Sequence, residues 1–216
     1  MKQKNLVLIS AIVLVLAFIL GAFVYRSQKA DAAGQAYQRD KTTYVRPYSP
    51  SYGNPAAKVE IVEFFDPACE TCKEFYPLVK DLLAKHPDKI RLYARYTAFH
   101  PGSDTVLKML AAAQKQGKFW ETLQAVFASQ ASWTQNHQAR PELVWNHIGN
   151  VGLDLARLKA DMELPEIAGM VQQDMADAKT LGVKATPEFF VNGKPLPTWG
   201  YEQLKTLVES EVKAAY

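Results

Sequence analysis

Apolar and polar positions divide this chain into segments of different period. From Leu6 to Tyr25, 20 consecutive residues carry no charge, about the length an α-helix needs to cross a hydrocarbon layer of ~30 Å. Residues 27–52 scatter Gln, Ser, Tyr and Pro with no clear period, which predicts a tether ending in a short strand near Tyr44-Val45. Gly53-Asn54-Pro55 is a turn signal. The apolar run after it, Val59 to Phe65, predicts a buried strand that enters a turn at Asp66-Pro67. A helix is expected over Glu70 to Lys85 with Pro77 inside it, and an interior proline costs about 3 kcal/mol and normally kinks a helix. Lys89 to Thr97 alternates Ile90, Leu92 and Ala94 with Arg91, Tyr93 and Arg95, a strand pattern.

A long helical stretch comes next. Val106, Met109, Leu110 and Ala113 share one helical face, and Phe119, Trp120, Leu123, Val126 and Phe127 share another after Gly117. Shorter helices are expected near Glu142–His147 and Leu153–Asp161, and a longer one over Pro165–Leu181. Glu188-Phe189-Phe190-Val191 then predicts a strand, closed by the hairpin dipeptide Asn192-Gly193 with Leu196 on the return strand. Leu204, Leu207, Val208 and Val212 mark a final helix. The order is strand, helix, strand, a helical block over about 101–181, hairpin and helix: an α/β core with a helical insert.

Charge sharpens the division. The chain has 216 residues, 48% of them hydrophobic, enough for one domain with a sizeable core. The formal net charge of +3 belongs to the N-terminal segment: Lys2, Lys4, Arg26 and Lys29 precede the first acid, leaving 21 basic against 22 acidic residues in the remainder. A folded part this close to neutral gives no case for nucleic-acid binding. A cleaved signal peptide is the competing reading of the apolar run, since Ala30-Asp31-Ala32 imitates a cleavage site. However, its apolar region would span only about 7–15 residues, and Arg26 and Lys29 intervene. The expected division is therefore a cytoplasmic tip and transmembrane anchor at 1–26, a tether at 27–52 and a folded domain at 53–216. Lys2 and Lys4 favour a cytoplasmic N-terminus, with Arg26 and Lys29 opposing them. That orientation puts the domain outside the cytoplasm, where disulfides persist.

The only two cysteines are Cys69 and Cys72, spaced Cys-Glu-Thr-Cys where the strand hands over to the helix. A thiol at a helix N-terminus meets unpaired N–H groups and the positive end of the dipole, which favours the reactive thiolate. Cys72 lies one turn deeper, able to attack a mixed disulfide formed at Cys69. A structural staple is the bland alternative, but so short a loop stabilises by only roughly 2 kcal/mol. A zinc site is another, but structural zinc usually takes four Cys or His ligands and no second Cys-x-x-Cys exists. Glu70 opposes activation, since a nearby carboxylate raises a thiol pKa; a solvated acid at the helix start is its alternative reading. Glu63, an acid inside an apolar strand, is costly to bury unless protonated or paired, which suggests a proton-relay role; a solvent-facing place at a sheet edge is its alternative. His86, His100, His137 and His147 show no metal spacing and read as surface or packing residues, and Trp120, Trp133, Trp145 and Trp199 as packing. No Walker loop or dinucleotide fingerprint is present, so no metal or organic cofactor is expected.

Three stretches together resemble the bacterial DsbA-like oxidoreductases, a thioredoxin fold with a helical insert. They are Val62-Glu63-Phe64-Phe65-Asp66-Pro67 running into Cys69-Glu70-Thr71-Cys72, Gln116-Gly117-Lys118-Phe119-Trp120-Glu121, and Gly182-Val183-Lys184-Ala185-Thr186-Pro187-Glu188-Phe189-Phe190-Val191-Asn192-Gly193. The resemblance covers about Ser49 to the C-terminus. It implies that Cys69 is the nucleophile, Cys72 the resolving thiol and Glu63 the buried acid beneath them. It also implies that Pro187 is cis and that Thr186 before it binds an extended substrate chain. The departure is Glu70-Thr71, where family members commonly carry Pro-His or Pro-Tyr, and this leaves the redox poise open.

The expected function is thiol–disulfide exchange with cysteine-containing proteins by a domain held at a bacterial inner membrane and facing the periplasm. A membrane redox partner resetting the cysteine pair is expected as well. Oxidation is the preferred direction, because residues 27–52 are too short for the dimerisation domain that isomerising relatives often carry. Thr186 points the other way by resemblance, so isomerase or reductase work remains the alternative. A non-enzymatic anchored chaperone or assembly factor is the rival from another class.

Overall fold

The computed structural model describes residues 2–216. A first helix, α1 (Lys2–Arg39), leads to a short strand β1 (Ser51–Gly53), β2 (Val59–Phe65), α2 (Glu70–Lys85) and β3 (Ile90–Tyr96). Then come α3 (Ser103–Gln114), α4 (Phe119–Ala128), α5 (Gln130–Trp133), a small hairpin of β4 (Thr134–Gln135) and β5 (Gln138–Ala139), α6 (Pro141–Val144), α7 (Leu155–Met162) and α8 (Pro165–Leu181). β6 (Glu188–Val191), β7 (Lys194–Pro195) and α9 (Tyr201–Ala215) complete the chain.

The main sheet runs β1-β3-β2-β6-β7. β2 and β3 are parallel, as their connection through α2 requires, and the other pairs are antiparallel. β2 is the centre of the sheet, so both of its faces are covered and its apolar run is continuous. On one face Val59, Ile61 and Phe189 pack with Phe75, Val79 and Leu82 of α2 and Leu204, Val208 and Val212 of α9. On the other, Val62, Phe64 and Phe190 pack with Ala178 of α8. The insert α3–α7 closes over the ends of β2 and β3, around Phe65, Tyr96, Leu107, Leu110, Phe119 and Trp133. α2 keeps its helical assignment through Pro77 to Lys85.

Three local expectations change. Residues 27–39, read as irregular, continue α1, and Tyr37 is buried with its hydroxyl donating to Glu60 Oε2 at 2.6 Å. No strand forms at Tyr44-Val45; these side chains pack under the sheet beside Phe190, and the strand is β1, at 51–53. Leu196 lies just past β7. Burial of Tyr37 and Tyr44 depends on partners far along the chain, which a local period does not register.

A buried charge cluster ties this N-terminal segment down. Arg95 of β3, wholly buried, donates to Asp174 at 2.7 Å and to Asp177 at 2.6 Å, both on α8. It also donates to the carbonyl oxygen of Thr43 at 2.9 Å. Arg46 grips Asp177 with two bonds of 2.8 and 2.6 Å, and the Tyr48 hydroxyl donates to Asp174 at 2.7 Å. Each charge is paired and hydrogen-bonded, the condition under which ions are tolerated in an interior.

Candidate active site

Strand β2 delivers the site. After Phe65 the chain turns through Asp66-Pro67, and Cys69 caps α2 with extended backbone (φ −78°, ψ 119°). Cys69 retains 7% of its accessible surface while Cys72, one turn deeper, retains none. Both are free thiols. The Cys69 thiol lies 3.3 Å from the Thr186 carbonyl oxygen, and the peptide bond from Thr186 to Pro187 is cis. The backbone N–H of Asp66 donates to the Cys72 sulfur at 3.5 Å.

The two thiols are driven apart in acidity. Cys69 falls to about 5, chiefly because the Cys72 thiol donates to its thiolate; burial opposes this, and the Thr186 side chain and the N–H groups of Cys72 and Thr71 add to it. Cys72 is pushed well above the ordinary thiol value by burial and by the neighbouring Cys69 sulfur. Glu63 rises to about 8, first through burial and then through the Cys69 charge. Its place in the central strand, paired with Ala94 on one side and Phe189 on the other, rules out the sheet-edge alternative. Period-two alternation puts it on the same face as Ile61 and Phe65. The Glu70 carboxylate is exposed and turned to His137 at 3.5 Å, the solvated place of its alternative reading, and it is not among the largest influences on the Cys69 pKa.

Several residues join the site without a local sequence signal. Gln130, buried in the insert, donates its amide to the carbonyl oxygens of Pro67 at 2.8 Å and Cys69 at 2.9 Å. Asp66 is fully buried. It accepts from the N–H groups of Ala68 (2.8 Å), Phe99 (2.8 Å) and His100 (2.9 Å), from the Ser103 hydroxyl (3.1 Å) and from His100 Nδ1 (2.8 Å). Trp199, read as packing, is 57% exposed beside the site. Its ring lies 5.2 Å from that of Phe75, and its Nε1 donates to the Pro187 carbonyl oxygen at 3.3 Å. An acid ending an apolar strand was visible for Asp66; for Gln130 and Trp199 nothing local distinguished them. Among the described residues no three His, Cys, Asp or Glu side chains form a metal-holding cluster.

A family model described as Thioredoxin matches residues 46–210. This chain belongs to the thioredoxin family. A thioredoxin-like oxidoreductase from Silicibacter pomeroyi DSS-3 superposes with a TM-score of 0.70 at 31% identity, covering 81% of this chain and 98% of that one. A probable disulfide bond formation protein D of Bacillus anthracis is 27% identical over 226 residues, 99% of this chain and all of its own length. A Na(+)/H(+) antiporter NhaA of Herminiimonas arsenicoxydans is 33% identical over 144 residues, 67% of this chain and 22% of the antiporter. The chain thus spans about a fifth of the antiporter relatives it matches.

Proposed function

We propose that this protein is a thiol–disulfide oxidoreductase that works on cysteine-containing proteins through Cys69 and Cys72, in the oxidising direction. The observation that carries the reading is the asymmetry of the pair: Cys69 reaches the surface with its pKa lowered to about 5, while Cys72 is sealed and held protonated. A substrate thiolate attacks Cys69 of the oxidised pair, the Cys69–Cys72 bond breaks and Cys72 leaves as a thiolate that takes a proton. A second substrate thiolate then attacks the substrate sulfur of the mixed disulfide; Cys69 leaves as a thiolate, and two electrons have passed to the protein. A stabilised Cys69 thiolate makes it a good leaving group and favours the reduced enzyme, hence oxidation of the substrate. Glu63, protonated near neutral pH beneath the pair, is the group placed to give and take the Cys72 proton. Thr186 and Pro187 line the approach to Cys69, where an extended substrate backbone can add alongside.

The apolar stretch of α1 is long enough to cross a membrane, and its side chains are exposed to the surroundings. This supports an anchor that holds the domain on the periplasmic side of a bacterial inner membrane, with a membrane redox partner reoxidising the pair. The reduction potential tests the direction: a value near about −120 mV supports an oxidase, and one near about −270 mV a reductase. Cys69→Ser abolishes exchange on this reading, whereas a chaperone would keep its function.

A further inference from the structure

Side chains of α1 at and beyond the end of the apolar run form a stripe facing the domain. Phe23, Arg26, Ser27 and Ala30 line a groove of about 810 Å³ whose opposite wall is Pro195, Leu196 and Pro197 after β7, with Leu207 of α9. Further along the same stripe the helix docks directly. Tyr37 sits so close to Gly193 (φ +79°) that a Cβ there would lie 2.2 Å from the tyrosine Cβ. Lys194 pairs with Asp31 at 3.5 Å and with Glu211 at 2.9 Å. The groove is therefore held at a fixed height above the end of the apolar run.

That height is the lipid headgroup layer. At 1.5 Å per residue, Arg26 to Ala30 rise from about 1.5 to about 7.5 Å beyond Tyr25, and the polar layer of one leaflet is roughly 5–8 Å deep. Of the cations lining the groove, Lys194 is already paired, and the acid Glu202 is offset by Lys205 at 3.5 Å. Arg26 and Lys29 have no ion-pair partner among the described residues. Two unpaired cations thus stand over an apolar trough that continues from a membrane-spanning surface.

We propose that the groove between α1 and the β7–α9 edge binds an anionic phospholipid, its headgroup on Arg26 and Lys29 and its acyl chain along Phe23, Leu196 and Leu207. This rests on the anchor reading of α1. The loop forming the groove wall runs on to Trp199, which holds the Pro187 carbonyl, so the lipid lies one loop from the cysteine pair.

Full-length protein is reconstituted into nanodiscs of equimolar phosphatidylcholine and phosphatidylglycerol, re-extracted in mild detergent, and its retained lipid weighed by native mass spectrometry. Phosphatidylglycerol is expected to exceed phosphatidylcholine, with retention falling about five-fold for each cation removed in Arg26→Gln and Lys29→Gln. Equal retention of the two lipids, or undiminished retention in the double variant, overturns the site. Alkaline carbonate extraction of membranes runs beside it. Release of the protein overturns the anchor reading itself, while resistance with equal lipid retention removes the headgroup site alone.

Discussion

Gln130 donates its side-chain amide to the Cys69 carbonyl oxygen at 2.9 Å, so the insert holds the first turn of the cysteine helix. The same amide holds the Pro67 carbonyl. Removing it in Gln130→Ala leaves a buried carbonyl unpaired, and a loss of about 1–3 kcal/mol is expected in urea unfolding. A loss under about 0.5 kcal/mol would show that the Pro67 carbonyl finds another partner, as the Cys69 carbonyl already has in the Lys73 N–H.

The acidity of Cys69 depends first on Cys72. In Cys72→Ala the thiolate loses its S–H donor, and the Cys69 pKa rises from about 5 toward the ordinary thiol value of 9.0. Thiolate absorbance against pH reads this directly; an unchanged midpoint would put the cause in the helix dipole instead.

Glu70 is exposed and turned to His137. The sequence alone left it between opposing thiolate formation and standing solvated at the helix start, and its exposed position gives it little hold on Cys69. Exposed charges couple by about 0–1 kcal/mol, so Glu70→His is expected to shift the Cys69 pKa by less than about one unit. A larger drop would restore the carboxylate as a tuning group.

Two opposed pH slopes follow for the reduced protein. Cys69 is lowered to about 5 from 9.0, so its stabilisation is present above 9 and is lost as pH falls to 5. Glu63 is raised from 4.5 to about 8, so its contribution is full below 4.5 and is lost as pH rises to 8. Between 5 and 8 the two offset each other. Glu63→Gln removes one of them, and the reduced variant gains up to about 1.4 kcal/mol per pH unit over that window. Denaturant titrations at several pH values measure it; parallel curves for wild type and variant would deny Glu63 its raised pKa.

Arg95 neutralises two buried carboxylates, Asp174 and Asp177. Arg95→Met strands them and is expected to cost about 3–5 kcal/mol, read as a lowered urea midpoint. A cost below about 1 kcal/mol would mean that Arg46 alone satisfies the cluster.

Much of the fold was legible because its elements are periodic. The runs Val59–Phe65 and Glu188–Val191, and the helices Glu70–Lys85 and Pro165–Leu181, declared themselves by their own spacing. Cys69 and Cys72 were legible because they are the only cysteines. What escaped is long-range. Tyr37 finds Glu60, Gln130 finds Cys69, and His100 finds Asp66 only once the sheet is assembled. The β4–β5 hairpin escaped for another reason: two residues per strand are too few to show a period.

The central claim, exchange through one thiol that reaches the surface and one that is sealed, is tested most directly by trapping. Cys72→Ser, incubated with glutathione disulfide and with a disulfide-bonded protein, should accumulate stable one-to-one adducts that peptide mass spectrometry places on Cys69, while Cys69→Ser accumulates none. Adducts on Cys72 in Cys69→Ser, or no adduct in either variant, would contradict the account.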